Sequence, residues 1–515
     1  MLENTSTVAT AKKGIAALAV CYLVISLYKR HQNHNDRNGL KEVPSPPGEY
    51  PILGHILAMG KSPVERLLEW HRTIGPMYRI SMGARKWILI NDPVMAHELF
   101  VQRGSLTSSR NAHSFSHRVY ADHGRGIVAA QADRRWKSSR TIALSILAPK
   151  MVEQYGSLLR DEADKLVDNL LDATATQNRV DPFKLLQLAS LNVIMVTCFA
   201  RRISSLEDEM FHTLIGLTDG FIKFAGITGD TGSFFPILRA WDLLSSKERM
   251  LKKFIREYRD EPFANLVRDA LVSDQECLTK DIYDMKDNYN LDEKDVMILL
   301  SDLVVAGSDT TAVTLTWAFS ILVHHPDVQK KIQAEIDAFK ASHNGNLPRF
   351  ADRDELPYTI SVQKECMRFR TTTNFGVPHV ATESFEYRGY YIPQGTTLIS
   401  NMYAMHRNPD AYENPDTFKP ERFINNTKTM MASMNGALEG RDHYNFGWGR
   451  RVCPGAHLAE VEIYNAFIRV LEKCDILPEM DENKRPMYPD INNAKTGGVT
   501  VTPENMYMRF LLRKT

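Results

Sequence analysis

No proline interrupts the chain between Asp292 and His325, and that stretch is apolar over most of its length. Asn290 or Asp292 can cap a helix at one end, and Pro326 fits the first turn of a following helix at the other. At 1.5 Å per residue, about 30 residues span about 45 Å, several times an ordinary helix. A helix of that length crosses a whole domain, so the rest of the chain must pack around it. At its middle stand Ala306, Gly307, Ser308, Asp309, Thr310 and Thr311. Glycine in a helix interior costs up to about 1 kcal/mol against alanine. Room for a ligand would compensate, and a tolerated kink is the plainer alternative.

The second constraint is the stretch Phe446–Gly455, FGWGRRVCPG, which sets Cys453 just ahead of a helical pattern. Ala459, Ile463, Ala466, Phe467 and Val470 recur at helical spacing, so that helix has an apolar face. Cys453 then lies at a helix N-terminus, where the dipole and free N–H groups favour a thiolate. Gly449 can adopt positive φ, or let the backbone approach a flat ligand. Arg451 could reach a carboxylate at such a ligand's edge, and Phe446 could shield the sulfur from water. A thiolate, a glycine admitting a plane and an arginine for an acidic edge together suggest haem. The bland alternative is a buried structural cysteine in a glycine-rich turn.

The gap-free pattern Phe-x-x-Gly-x-Arg-x-Cys-x-Gly resembles the haem-binding loop of the cytochrome P-450 family, of the membrane-bound eukaryotic, fungal type. Four further motifs in the family's order carry the resemblance over roughly residues 42–515. Trp136 and Arg140 lie four apart on a predicted helix, Ala132–Leu147, and match a pair that bonds a haem propionate. Ala306–Thr311 matches the segment over the distal haem face, where Thr310 would hydrogen-bond the oxygen ligand and Asp309 would help relay protons. Glu365 and Arg368, three apart on a helix starting after Pro357, match a buried pair completed by Arg422 of Pro420-Glu421-Arg422-Phe423. Their implied role is structural, holding the cysteine loop. His379 matches a position that contacts a propionate. In this reading Cys453 is the iron ligand, with Trp136, Arg140, His379, Phe446, Gly449, Arg451 and Gly455 around the cofactor. The implied fold is mainly α with a smaller β region, its long helix lying over haem b.

The totals agree with one large domain. The 515 residues carry a net charge of +1, which argues against a nucleic-acid partner. No linker-like composition divides the chain after about residue 50. The six cysteines show no paired spacing, as in a reduced, cytosol-facing protein. Gly14–Tyr28 is an apolar run between Lys12-Lys13 and Lys29-Arg30, short for a span of about 17–25 residues. We read residues 1–41 as a membrane anchor with its flank and 42–515 as the monooxygenase domain. The basic residues after the run favour a cytosolic domain, a cleaved signal peptide is the runner-up although no Ala-x-Ala-like site follows, and the resemblance implies the endoplasmic reticulum membrane. Pro44–Gly48 reads as a stiff strut between the two.

Met77–Ile80 and Lys86–Ile90 read as a hairpin, and Glu383–Tyr391 and Thr396–Ser400 as two strands joined at Pro393-Gln394-Gly395. Helical patterns dominate up to residue 270. The aromatics Phe211, Phe221, Phe224, Phe234 and Phe235 read as core more readily than as substrate contacts, although this region, with Ser108–Arg125 and Thr371–Val377, is also among the variable segments expected to form the pocket. The resemblance implies insertion of one oxygen atom from O2 into a lipophilic molecule. No dinucleotide fingerprint is present, so electrons would come from a separate NADPH–cytochrome P-450 reductase, with cytochrome b5 as a second donor. A haem-thiolate isomerase or dehydratase and a non-catalytic haem protein are the rivals. The Asp309-Thr310 pair speaks against both.

Overall fold

The computed structural model describes residues 39–514 apart from 113, 227–228, 237, 239–245 and 497–498. The apolar run Gly14–Tyr28 and its basic flanks lie outside the described residues. From the N-terminal side come β1 (Lys41–Glu42), α1 (Pro63–Ile74), β2 (Met77–Met82) and β3 (Arg85–Ile90). The principal helices that follow are α2 (Arg134–Ile146), α3 (Gly156–Gln177), α4 (Phe183–Phe199), α5 (Glu209–Ala225) and α6 (Lys247–Ile255). Then α7 (Glu293–His324), α8 (Pro326–Ser342) and α9 (Pro357–Phe369) lead into β4 (His379–Val380), β5 (Phe385–Tyr387), β6 (Tyr390–Ile392) and β7 (Thr397–Ser400). The chain closes with α10 (Ala456–Lys473) and β8 (Cys474–Met480), β9 (Pro486–Met487), β10 (Ala494–Thr496), β11 (Val501–Pro503) and β12 (Met508–Leu512).

Asp292 starts α7 through a capping box, its carboxylate taking the Asp295 N–H at 2.9 Å while Asp295 takes its own at 3.0 Å. The helix is apolar all round, as a helix packed on every side must be. By length and composition alone it could cross a membrane, but 72% of its apolar window is buried inside the protein. It is the core helix. Its principal neighbour is α4, which runs along it. A Cβ on Gly307 would sit 2.9 Å from Ile194 Cδ1 on α4. The mid-helix glycine therefore serves the approach of α4 to α7, not the ligand space that the sequence suggested.

The main sheet has the order β2-β3-β7-β4, with Trp87 opposite Thr397 and His379 opposite Leu398. The expected hairpin forms from β2 and β3. Glu383–Tyr391 is not one strand: β5 and β6 fold back on each other around Arg388 (φ 51°) and Gly389 (φ 81°). Two successive positive φ values make the two-residue hairpin turn, and an arginine at the first of them hid it from the sequence. β1 pairs with β6 in parallel. The Pro44–Gly48 stretch is stitched to the domain, since Pro44 O accepts the Arg79 N–H at 2.7 Å and Pro46 O bonds the buried His55 at 3.0 Å.

Candidate active site

Ala306 is exposed and Thr310 half-buried, although α7 is packed along nearly all the rest of its length. One turn apart, they share a face, so that face borders an opening in the protein. The Thr310 hydroxyl donates to Ala306 O at 2.9 Å. Asp309, about 100° further round the helix, points elsewhere. Its carboxylate accepts from Gln187 Nε2 and from Thr500 Oγ1, each at 2.8 Å.

The cysteine loop forms as a closed turn ahead of α10. Phe446 O accepts the Cys453 N–H at 2.9 Å, and the Phe446 ring lies 5.6 Å from that of His443. Gly449 has φ 54°, and a Cβ there would fall 2.1 Å from Phe100 O. Both requirements demand glycine, and the close approach is to the Phe100 backbone rather than to a flat ligand. A Cβ on Gly455 would meet nothing within 4 Å. Among the described cysteines, all free, Cys453 is the one that is not buried. Burial pushes its thiol up, against the opposing pull of the Gly455 N–H and Arg140. The helix N-terminus alone therefore does not make the thiolate. A metal ion on the sulfur would do so outright.

Cations gather around Trp136. Arg451 lies 4.0 Å over the Trp136 ring and donates to Ser108 O, Ile127 O and Ala130 O at 2.8, 3.0 and 2.7 Å. Arg140 sits 5.7 Å from the same ring and donates to Val452 O. Arg110, absent from the sequence reading, donates to Val377 O and Pro378 O at 2.9 and 2.7 Å. Burial and mutual repulsion bring Arg451 down to about 8 and Arg110 to about 9. His379 Nδ1 bonds Thr107 O at 2.7 Å, and burial holds the ring well below its usual range. A carbonyl only accepts, so Nδ1 carries the proton of the neutral ring. The Trp136 indole N–H is buried without a partner.

Behind the loop, Glu365 bonds Arg368 twice at 2.8 Å and Arg422 at 2.9 Å, with Glu365 and Arg368 fully buried and Arg422 reaching in from a half-buried position. Arg368 also donates to His406 O at 3.0 Å, and the His406 ring takes the Tyr444 N–H at 2.8 Å. The triad thus reaches the cysteine loop through His406, a residue with no local motif to mark it. Lys364 and Asp442 form a second buried ion pair at 3.0 Å on the same side.

A sequence model of the family described as Cytochrome P450 matches residues 44–509. The chain belongs to the cytochrome P450 family. A 3-hydroxyphenylacetate 6-hydroxylase of Emericella nidulans is 26% identical, over 90% of this chain and 88% of its own. The cytochrome P450 monooxygenase COX2 of Coprinopsis cinerea is 27% identical, over 99% and 94%. A zebra fish cytochrome P450 solved with progesterone shares the fold, with a TM-score of 0.72, 24% identity, and coverage of 88% of this chain and 99% of that one. This cytochrome P450 is a haem-thiolate monooxygenase, mainly α with small sheets, and its cofactor is haem b held by a cysteine thiolate.

The residues present fit that cofactor. The Cys453 sulfur, in a closed loop ahead of α10, is only partly buried, and Ala306 and Thr310 leave one face of α7 uncovered. The orphaned Trp136 N–H and a group of buried cations await the acidic edge of a macrocycle. Sequence reasoning missed Arg110 and Gln187. The second had a weak signal, an amide in the largely apolar α4, though Asn192 in the same helix carries the same signal.

Proposed function

We propose that Cys453 is the iron ligand of this P450 and that Trp136, Arg140, Arg451, His379 and Arg110 hold the haem propionates. Haem bound through a thiolate supplies the oxidising centre, because the sulfur's electron push favours O–O cleavage. The chain's own residues do the rest. Phe446, Gly449 and Gly455 shape the loop around the sulfur. Trp136 can donate its indole N–H to a carboxylate without breaking any bond it now makes. Neutral His379 would need a second proton, on Nε2, to donate to the same group. Glu365, Arg368 and Arg422 keep the loop in place.

Thr310 offers a hydroxyl to the opening and Asp309 a carboxylate one residue away, and together they deliver protons to the distal side. The observation that carries this reading is the exposure of Ala306 and Thr310 in the middle of an otherwise packed helix. One lipophilic molecule enters that opening, and one oxygen atom from O2 is inserted by hydroxylation or epoxidation. Electrons come from NADPH through a separate reductase, with cytochrome b5 as a further donor. Residues 1–41 anchor the protein to the endoplasmic reticulum membrane with the domain 42–515 in the cytosol.

Thr310→Ala tests the proton assignment. A substrate is first found by screening lipophilic compounds, phenylacetates included, for a shift of the Soret band. The variant should keep that shift but convert NADPH to peroxide more and to product less. Unchanged coupling would remove Thr310 from its role.

A further inference from the structure

Asp309 and Thr310 are neighbours, yet the carboxylate is turned about 100° round α7 from the opening. Gln187 Nε2 and Thr500 Oγ1 each donate to it at 2.8 Å. Asp309, Gln187 and Thr500 are 5%, 1% and 6% exposed. Such an arrangement is expensive to bury unless every group is satisfied, and here three distant parts of the chain meet on one carboxylate. The Thr500 segment is itself fixed, because the Val501 N–H donates to Thr372 O at 3.0 Å and Val501 O takes the Trp317 indole.

The contacts continue outward. Gln187 Oε1 accepts Lys184 Nζ at 3.0 Å, one turn earlier on α4. Lys184 is exposed and lines a cleft of about 420 Å³ between α4 and α5, together with His212 and Asp219. Asp219 is exposed in that cleft, yet partial desolvation and the charge of Asp309 raise its carboxyl, against the pull of Lys184. A carboxyl so placed takes up a proton more readily than one in open water. The polar contacts therefore run from the solvent cleft, through Lys184 and Gln187, to Asp309 inside the helix packing.

We propose that Gln187 and Thr500 are positioning residues for Asp309, and that the cleft at Lys184 and Asp219 is the solvent side from which Asp309 receives its protons. The proposal rests on the reading of Asp309 and Thr310 as the proton-delivery pair. A glutamine amide does not pass protons along as water or a carboxyl does, so Gln187 orients the carboxylate while solvent and Asp219 supply the proton. The proton balance makes the consequence measurable without a known substrate. Driven by NADPH and reductase, O2 with one NADPH and one proton gives hydrogen peroxide. With two NADPH and two protons it gives two waters. Poor proton delivery favours the first route.

The test uses the full-length holoenzyme with a P450 reductase and no added organic substrate. Gln187→Leu and Thr500→Val should leave the ferrous–CO spectrum near wild type, with a modestly lower thermal midpoint because each removes one donor from the buried Asp309 carboxylate. The infrared carboxylate band of Asp309, isolated as the difference between wild type and Asp309→Asn, should shift in both variants without turnover. The peroxide formed per NADPH should rise about twofold or more in both, towards the Asp309→Asn value. Asp219→Asn should raise it too. An unmoved band, or a shifted band with unchanged peroxide yield, overturns the positioning role. A wild-type yield in Asp219→Asn overturns the cleft as the proton source. Thr310→Ala run in parallel separates the two levels. If it raises peroxide while Gln187→Leu and Thr500→Val do not, only this inference falls. If neither Thr310→Ala nor Asp309→Asn raises it, the underlying reading falls.

Discussion

The ring of His406 accepts the backbone N–H of Tyr444 at 2.8 Å, while its own carbonyl takes a bond from Arg368 at 3.0 Å. This one residue joins the Glu365–Arg368–Arg422 cluster to the loop that carries Cys453. Burial and neighbouring cations hold His406 well below its usual range, so the ring is neutral and its Nε2 is free to accept. His406→Leu should leave the Tyr444 N–H buried and unpaired, at a cost of about 1–3 kcal/mol. The expected outcome is a lower thermal midpoint and faster haem loss with helix content intact, measured by Soret absorbance and far-UV circular dichroism during heating.

Trp136 supplies a buried N–H with no protein partner, and Arg110 a cation with no acid beside it. Trp136→Phe keeps the ring under Arg451 and removes only the donor, so it should bind haem several-fold more weakly without unfolding. Arg110→Leu should act in the same direction. Competition for haem with apomyoglobin gives the numbers, and wild-type retention in both variants would free these residues from the propionates.

Glu462 on α10 is buried, and desolvation raises its carboxyl to about 7, against opposing hydrogen bonds from Ser190 and Thr311. A folded-state value above the unfolded one means that the folded state binds more protons between about pH 4.5 and 7. Stability contributed by the protonated group is present below that window and lost as pH rises through it. Glu462→Gln should flatten this part of the pH profile and stabilise the protein at pH 8 by about 1–3 kcal/mol. The difference between the two unfolding curves is the measurement, because buried histidines such as His443, lowered to about 4, contribute the opposite slope.

The aromatics of residues 211–235 were legible as packing. Phe211 is buried, and Phe221 and Phe224 lie 6.2 and 5.4 Å from Phe115. The long helix was legible to within a residue, because a capping aspartate and a following proline are local signals. The Glu365–Arg368–Arg422 cluster was legible only through the family resemblance, since a Glu and an Arg three apart on a helix read equally as a surface ion pair. What the sequence hid were bonds made across long separations. Gln187 meets Asp309 over 122 residues and Arg451 meets Ser108 over 343. Gly307 and Gly449 were visible as exceptions, but only the fold shows that Ile194 and Phe100 are what they make room for.

Deleting residues 1–38 should release much of the protein from membranes and leave its Soret spectrum unchanged, since every proposed haem contact lies later in the chain. Fractionation of cells expressing the two forms measures this. Loss of haem on truncation would show instead that the segment belongs to the folded core.

The account turns on Cys453, the one described cysteine that is not buried. The most direct measurement is the ferrous–CO difference spectrum of purified Cys453→Ser. The account predicts that the red-shifted Soret band of a thiolate-ligated haem, present in the wild type, disappears in the variant. A variant that kept that band would contradict it, because the thiolate would have to come from another residue.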